Sequence, residues 1–82
     1  MPELTRFYGL IVKMFFKDHA PPHIHVIYGE CVAIYDIVTQ EMTEGDIPVR
    51  GQSLVKEWLS LHSSDLLDIW NTQKFRKLPP LS

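Results

Sequence analysis

The chain has 82 residues, of which 45% are hydrophobic and 22% charged, and its formal net charge is −2 at pH 7. This balance excludes a disordered chain, which would be less apolar, and a strongly basic protein that coats phosphates. The single cysteine, Cys31, excludes an internal disulfide framework or a cysteine-rich zinc module, and it suits a reducing compartment.

The length predicts a single small domain over residues 1–82. Residues 7–16 are rich in aromatic and β-branched side chains and predict a first strand. At period two, Leu10, Val12, Met14 and Phe16 share one face, and Ile11, Lys13 and Phe15 the other. This apolar run is interrupted by Lys13 and too short to span a bilayer. No basic segment leads into a long apolar one, so neither signal peptide nor membrane contact is expected, and the predicted location is cytoplasmic.

A polar loop with two prolines, residues 17–22, leads to a strand over residues 23–28. Gly29-Glu30 fits a two-residue type II′ turn into a third strand over residues 31–37. A short fourth strand is expected near residues 41–44. The turn sets a register that pairs Tyr28 with Cys31, Val26 with Ala33, Ile24 with Tyr35 and His23 with Asp36. Ile24, Val26, Tyr28, Ala33 and Tyr35 then share the apolar face. His23, His25, Ile27, Val32, Ile34 and Asp36 take the other.

Residues 47–76 predict two helices. Leu54, Val55, Trp58, Leu61 and His62 recur at spacings of three and four, Pro48 suits the first turn, and Asp46 suits the cap. Ser63 or Ser64, followed by Asp65, reads as the start of a second helix whose stripe is Leu66, Leu67, Trp70 and the stem of Lys74. Residues 77–82, with Pro79-Pro80, predict an extended tail. The predicted fold is α+β: an antiparallel β-meander of three to four strands (about residues 7–46), then two α-helices packed on one face.

Charge is segregated along the chain. Residues 30–46 carry Glu30, Asp36, Glu41, Glu44 and Asp46 without a Lys or Arg, a net of −5, between weakly positive ends. A basic partner protein would complement that stretch. Lys74, Arg76 and Lys77 interleave with Phe75 as candidate nucleic-acid contacts, and the same bases would also complement a helix C-terminus.

The chemically promising segment is Asp18-His19-Ala20-Pro21-Pro22-His23-Ile24-His25-Val26. His23 and His25 project the same way from a strand, with Asp36 expected beside His23. These three are the candidate catalytic residues, because imidazole titrates near neutrality and serves as acid or base. His19, His23 and His25 form an alternative divalent-metal set. Solvated polar residues on a half-buried strand, or polar contacts to a partner, account for the same pattern. The third alternate position is Ile27, so the His-x-His-x-His pattern of the histidine-triad hydrolases is absent.

The opening Met-Pro-Glu-Leu-Thr-Arg-Phe-Tyr-Gly-Leu-Ile-Val, the Pro-Pro-His-Ile-His-Val core, Gly45 to Pro48, Glu57-Trp58, His62, Leu66-Leu67, Trp70 and Pro80-Leu81 together resemble a small bacterial family. This is the domain-of-unknown-function family 4160, and the resemblance covers nearly the whole chain. It implies no assigned activity, cofactor or catalytic residue, and no cofactor is predicted. Members are often encoded beside a second small family, numbered 2442, in what looks like a toxin–antitoxin arrangement. The resemblance thus implies a component of such a pair that binds a small 2442-like protein partner. Two alternatives remain from the residues. One is a small ribonuclease using His23 and His25, with Lys13 or Lys17 facing the phosphate charge. The other is a DNA-binding regulator built on the two helices.

Overall fold

The computed structural model describes residues 3–15 and 20–81. Five strands form one antiparallel meander: β1 (Glu3–Phe7), β2 (Leu10–Lys13), β3 (His23–Tyr28), β4 (Cys31–Asp36) and β5 (Met42–Gly45) lie side by side in chain order. One helix, α1 (Val49–Thr72), follows. The α+β class agrees with expectation, while the number of strands and helices does not.

The extra strand comes from a turn at Tyr8-Gly9. Both residues take positive φ, +46° and +84°, and Phe7 pairs directly with Leu10, as in a two-residue hairpin of the I′ kind. The ladder between β1 and β2 shifts between Glu3 and Thr5. This bulge explains why Leu4 and Thr5, although consecutive, are both buried. The β3–β4 register is the expected one, with Tyr28 opposite Cys31, Val26 opposite Ala33, Ile24 opposite Tyr35 and His23 opposite Asp36. In its turn only Gly29 takes positive φ, +61°.

A single helix replaces the expected pair because the apolar stripe never breaks. Val55, Trp58, Leu59, Leu66 and Ile69 are all buried, and half-buried His62 keeps the phase between Leu59 and Leu66. Serine costs a helix interior only about 0.5 kcal/mol, which one buried stripe outweighs. Leu61, expected in the stripe, is 63% exposed, and Leu59 takes its place. Pro48, not Asp46, occupies the cap position, without a side-chain hydrogen bond. The Gln52 side-chain amide instead donates to Ile47 O at 2.7 Å. The helix stops at Gln73, whose φ is +58° and whose N–H returns to Ile69 O. Lys74 is therefore beyond the helix and exposed.

Residues 73–81 double back over α1. Arg76 bridges Asp65 (3.1 Å) and Asp68 (3.0 Å), and Pro79 O accepts from Trp58 Nε1–H at 2.9 Å. Leu78 is buried, and its N–H donates to Leu4 O at 3.0 Å. That carbonyl belongs to the bulge residue of β1, so the tail supplies a hydrogen bond the ladder lacks.

One sheet face, including Leu10, Val12, Ile24, Val26, Ala33 and Tyr35, packs with Val55, Trp58, Leu59, Leu66 and Ile69 in one core. Gly51 faces Leu10 and Tyr28. A Cβ built there would lie 3.4 Å from Ile47 Cδ1, 3.6 Å from Leu10 Cδ2 and 3.7 Å from Tyr28 Cδ2, all flexible or ordinary neighbours. Gly51→Ala is expected to raise stability by up to about 1 kcal/mol through helix propensity. Urea melts showing a loss of that size would contradict this.

Tyr35 is buried in the same core. Burial, with the Asp46 carboxylate as second cause, raises its phenol above the ordinary value. Above pH ~10 the unfolded chain therefore holds fewer protons than the folded one, and stability falls as pH rises. Tyr35→Phe should remove part of that alkaline loss. An unchanged slope of stability against pH between the two proteins would count against it.

Candidate functional site

Among the described residues, no helix lies over the sheet face opposite α1. Arg6, Ile11, Ile27 and Val32 form one cross-strand row, and Lys13, His25, Ile34 and Glu44 the next. Val32 is 50% exposed, and Ile11, Ile27 and Ile34 are half-buried. The solvated face of an antiparallel sheet is ordinarily polar. Four aliphatic side chains here are a departure from that pattern.

The histidines sit at one end of this face, held by ring contacts. His25 meets Phe15 edge-on at 4.5 Å between centroids and His23 at 5.3 Å, and His23 in turn lies 5.3 Å from Trp70 of α1. His23 Nδ1 is 2.8 Å from Pro21 O. A carbonyl only accepts, so Nδ1 carries the proton, and in the neutral ring the lone pair is on Nε2. The Pro21-Pro22 segment is tied down by this bond and by Ile37 N–H donating to Pro22 O at 3.0 Å.

Asp36 stands opposite His23, as the register predicts. It is 9% exposed, and its Oδ1 accepts from the backbone N–H groups of Val38 (2.8 Å) and Thr39 (3.0 Å). Its first task is therefore to hold the turn between β4 and β5. Among the described residues, no cluster of three or more His, Cys, Asp or Glu is placed to hold a metal ion. His19, the third member of the expected metal set, lies outside the described residues, as do Lys17 and Asp18.

A pocket of about 480 Å³ opens beside His23 and Asp36. Ala20, Pro21 and Ile34 form its apolar walls, and Thr43 and Glu44 complete its polar rim. Two consecutive residues of β5 reach it because the β4–β5 register shifts between Ile34 and Tyr35, pairing Ile34 with Glu44 and Tyr35 with Met42. Sequence reasoning missed Thr43, Glu44 and Ile34, since a bulge in a short strand leaves no period-two signature. Of the three candidate nucleic-acid contacts, Arg76 is engaged by Asp65 and Asp68, while Lys74 and Lys77 are exposed.

The family model for the domain of unknown function DUF4160 matches residues 9–71. The chain belongs to this family. The match spans the sheet from Gly9 onward, the Pro-Pro-His-Ile-His segment and nearly all of α1, so the pocket and the open face from β2 to β5 lie inside the DUF4160 domain. No curated protein and no solved structure matches the chain.

Proposed function

We propose that this DUF4160 chain is the binding component of a toxin–antitoxin-type pair in the bacterial cytoplasm, acting through a small protein partner encoded beside it. The observation that carries this reading is the sheet face that no described helix covers, with its row of Ile11, Ile27 and Val32 beside Ile34. Contiguous, partly exposed aliphatic surface rimmed by charge is what protein interfaces use. A standard interface takes about 800 Å² from each partner, roughly a sixth of the 4871 Å² of surface here, which one sheet face can supply. The acidic residues at the β5 end of that face call for a partner that is apolar at its centre and basic at its rim. No described helix is long and apolar enough to cross a membrane.

Co-expression with the 2442-like neighbour should yield a complex that survives size-exclusion chromatography. Val32→Lys, at an exposed position of the row, should weaken it at least tenfold without altering the fold. Recovery of only free chain under non-denaturing conditions would dispose of the reading.

The imidazole pair favours a second reading, a small ribonuclease. His23 and His25 are 5.3 Å apart, and Lys13 lies opposite His25 on β2. One imidazole would take the 2′-hydroxyl proton and the other protonate the leaving oxygen. His23→Ala/His25→Ala should then abolish RNA cleavage while the circular dichroism is retained, and cleavage at the wild-type rate in that variant would eliminate it. The helix pair that suggested a DNA-binding regulator is one continuous helix.

A further inference from the structure

The hydrogen-bonding inventory of the pocket is one-sided. Thr43 Oγ1–H donates to Ile34 O at 3.3 Å, and His23 Nδ1–H donates to Pro21 O. The side-chain donors of these two residues are therefore directed at the chain's own carbonyls. Among the described lining residues the other side-chain polar groups, Nε2 of the neutral His23 ring and the carboxylates of Asp36 and Glu44, accept and do not donate. Asp36 is the more telling of the two. It is nine-tenths buried, its Oδ1 is committed to Val38 and Thr39, and its Oδ2 makes no hydrogen bond among the described residues. Among the described residues no Lys or Arg lines the cavity and two carboxylates do, which favours a positively charged ligand. A ligand that suits it brings several N–H donors and a positive charge on an aliphatic stem that can lie along Ile34, Ala20 and Pro21.

We propose that this pocket receives a basic side chain, an arginine or lysine, of the partner protein, so that the partner docks with a cation seated between Asp36 and Glu44. The inference rests on the partner-binding reading above and adds the chemistry of the contact. Guanidinium fits best, because its planar fork donates to two carboxylates at once and its weak hydration eases burial. A metal ion is the poorer occupant, since no three ligating side chains converge there among the described residues. The bulge in β5 has a role here. By turning both Thr43 and Glu44 toward the cavity, it adds a second carboxylate to that of Asp36.

The test has two arms. In the first, N-acetyl-arginine-N-methylamide and its neutral citrulline counterpart are titrated into the ¹⁵N-labelled chain. The arginine probe should saturably shift the amide resonances of Ile34, Thr43 and Glu44. The citrulline probe should bind at least tenfold more weakly, and Glu44→Gln should weaken the arginine probe at least fivefold. Asp36→Asn should do the same, while its amide oxygen still accepts from Val38 and Thr39. Equal binding of the two probes, shifts confined to other surfaces, or no saturable shift would overturn the proposal. In the second arm, Glu44→Gln should lower affinity for the co-expressed partner at least tenfold and flatten its salt dependence. A complex indifferent to Glu44→Gln overturns the pocket's role and leaves the partner reading intact. Absence of any complex overturns the partner reading, and the probe titration still decides the pocket's chemistry.

Discussion

Gly45→Ala is expected to cost at least about 3 kcal/mol, a large part of the 4–12 kcal/mol that a chain of this length commands. Gly45 ends β5 at φ +79°, and a Cβ placed there would stand 2.1 Å from Val32 O and 2.9 Å from Ala33 Cα. Both neighbours are backbone, and Val32 O is held by Asp46 N–H at 3.2 Å. Relief requires β5 to withdraw from β4, which breaks that hydrogen bond and the pairing of Ala33 with Gly45. Gly29→Ala is the control. Its φ is also positive, but a Cβ there meets nothing within 4 Å, so only the left-handed strain of about 1–2 kcal/mol applies. Urea denaturation followed by circular dichroism compares the two, and equal midpoints would refute the steric argument.

Trp58→Ala should be the most damaging change in α1, at about 3–5 kcal/mol. Trp58 is fully buried, lies 6.1 Å from the Phe7 ring and 5.1 Å from the His62 ring, and its N–H holds Pro79 O. Trp58→Phe separates the two contributions. It keeps most of the packing and loses the hydrogen bond, at about 1 kcal/mol. Its signature is local: trypsin should cut after Lys77 faster than in the wild-type chain while the global melt moves little. Unchanged cleavage in Trp58→Phe would mean that Leu78 and the Arg76 ion pairs hold the tail without Trp58.

The β3–β4 hairpin was the most legible element, because a glycine-led turn and strict apolar alternation point to one register and a one-residue slip would bury the histidines. The β1–β2 turn was hidden. Tyr8 is a poor advertisement for positive φ, and apolar residues continue on either side of it. At the helix the local signals mislead in the opposite direction. Ser63, Ser64 and Asp65 are good capping residues, yet no Gly or Pro accompanies them, and the 55–58–59–62–66–69 stripe passes through without a phase change. At the site, the hairpin register alone places His23 opposite Asp36. The role of Asp36 as a turn holder could have been read from an Asp at a strand end. Glu44 could not, since its approach to the pocket depends on the bulge and not on any residue pattern.

The tail that returns to β1 has a consequence for how copies of this chain can meet. A meander has two outer strands, and here one of them is occupied at Leu4 by Leu78. Strand-to-strand addition at β1 must therefore displace Leu78, whereas at β5 Thr43, Glu44 and Gly45 are exposed. Two copies joined there would use the same edge twice, related by a two-fold axis, and the pair would present only its two tail-bound β1 edges. Fibre growth by this route terminates at a dimer, and the like charges of two facing Glu44 side chains oppose even that step.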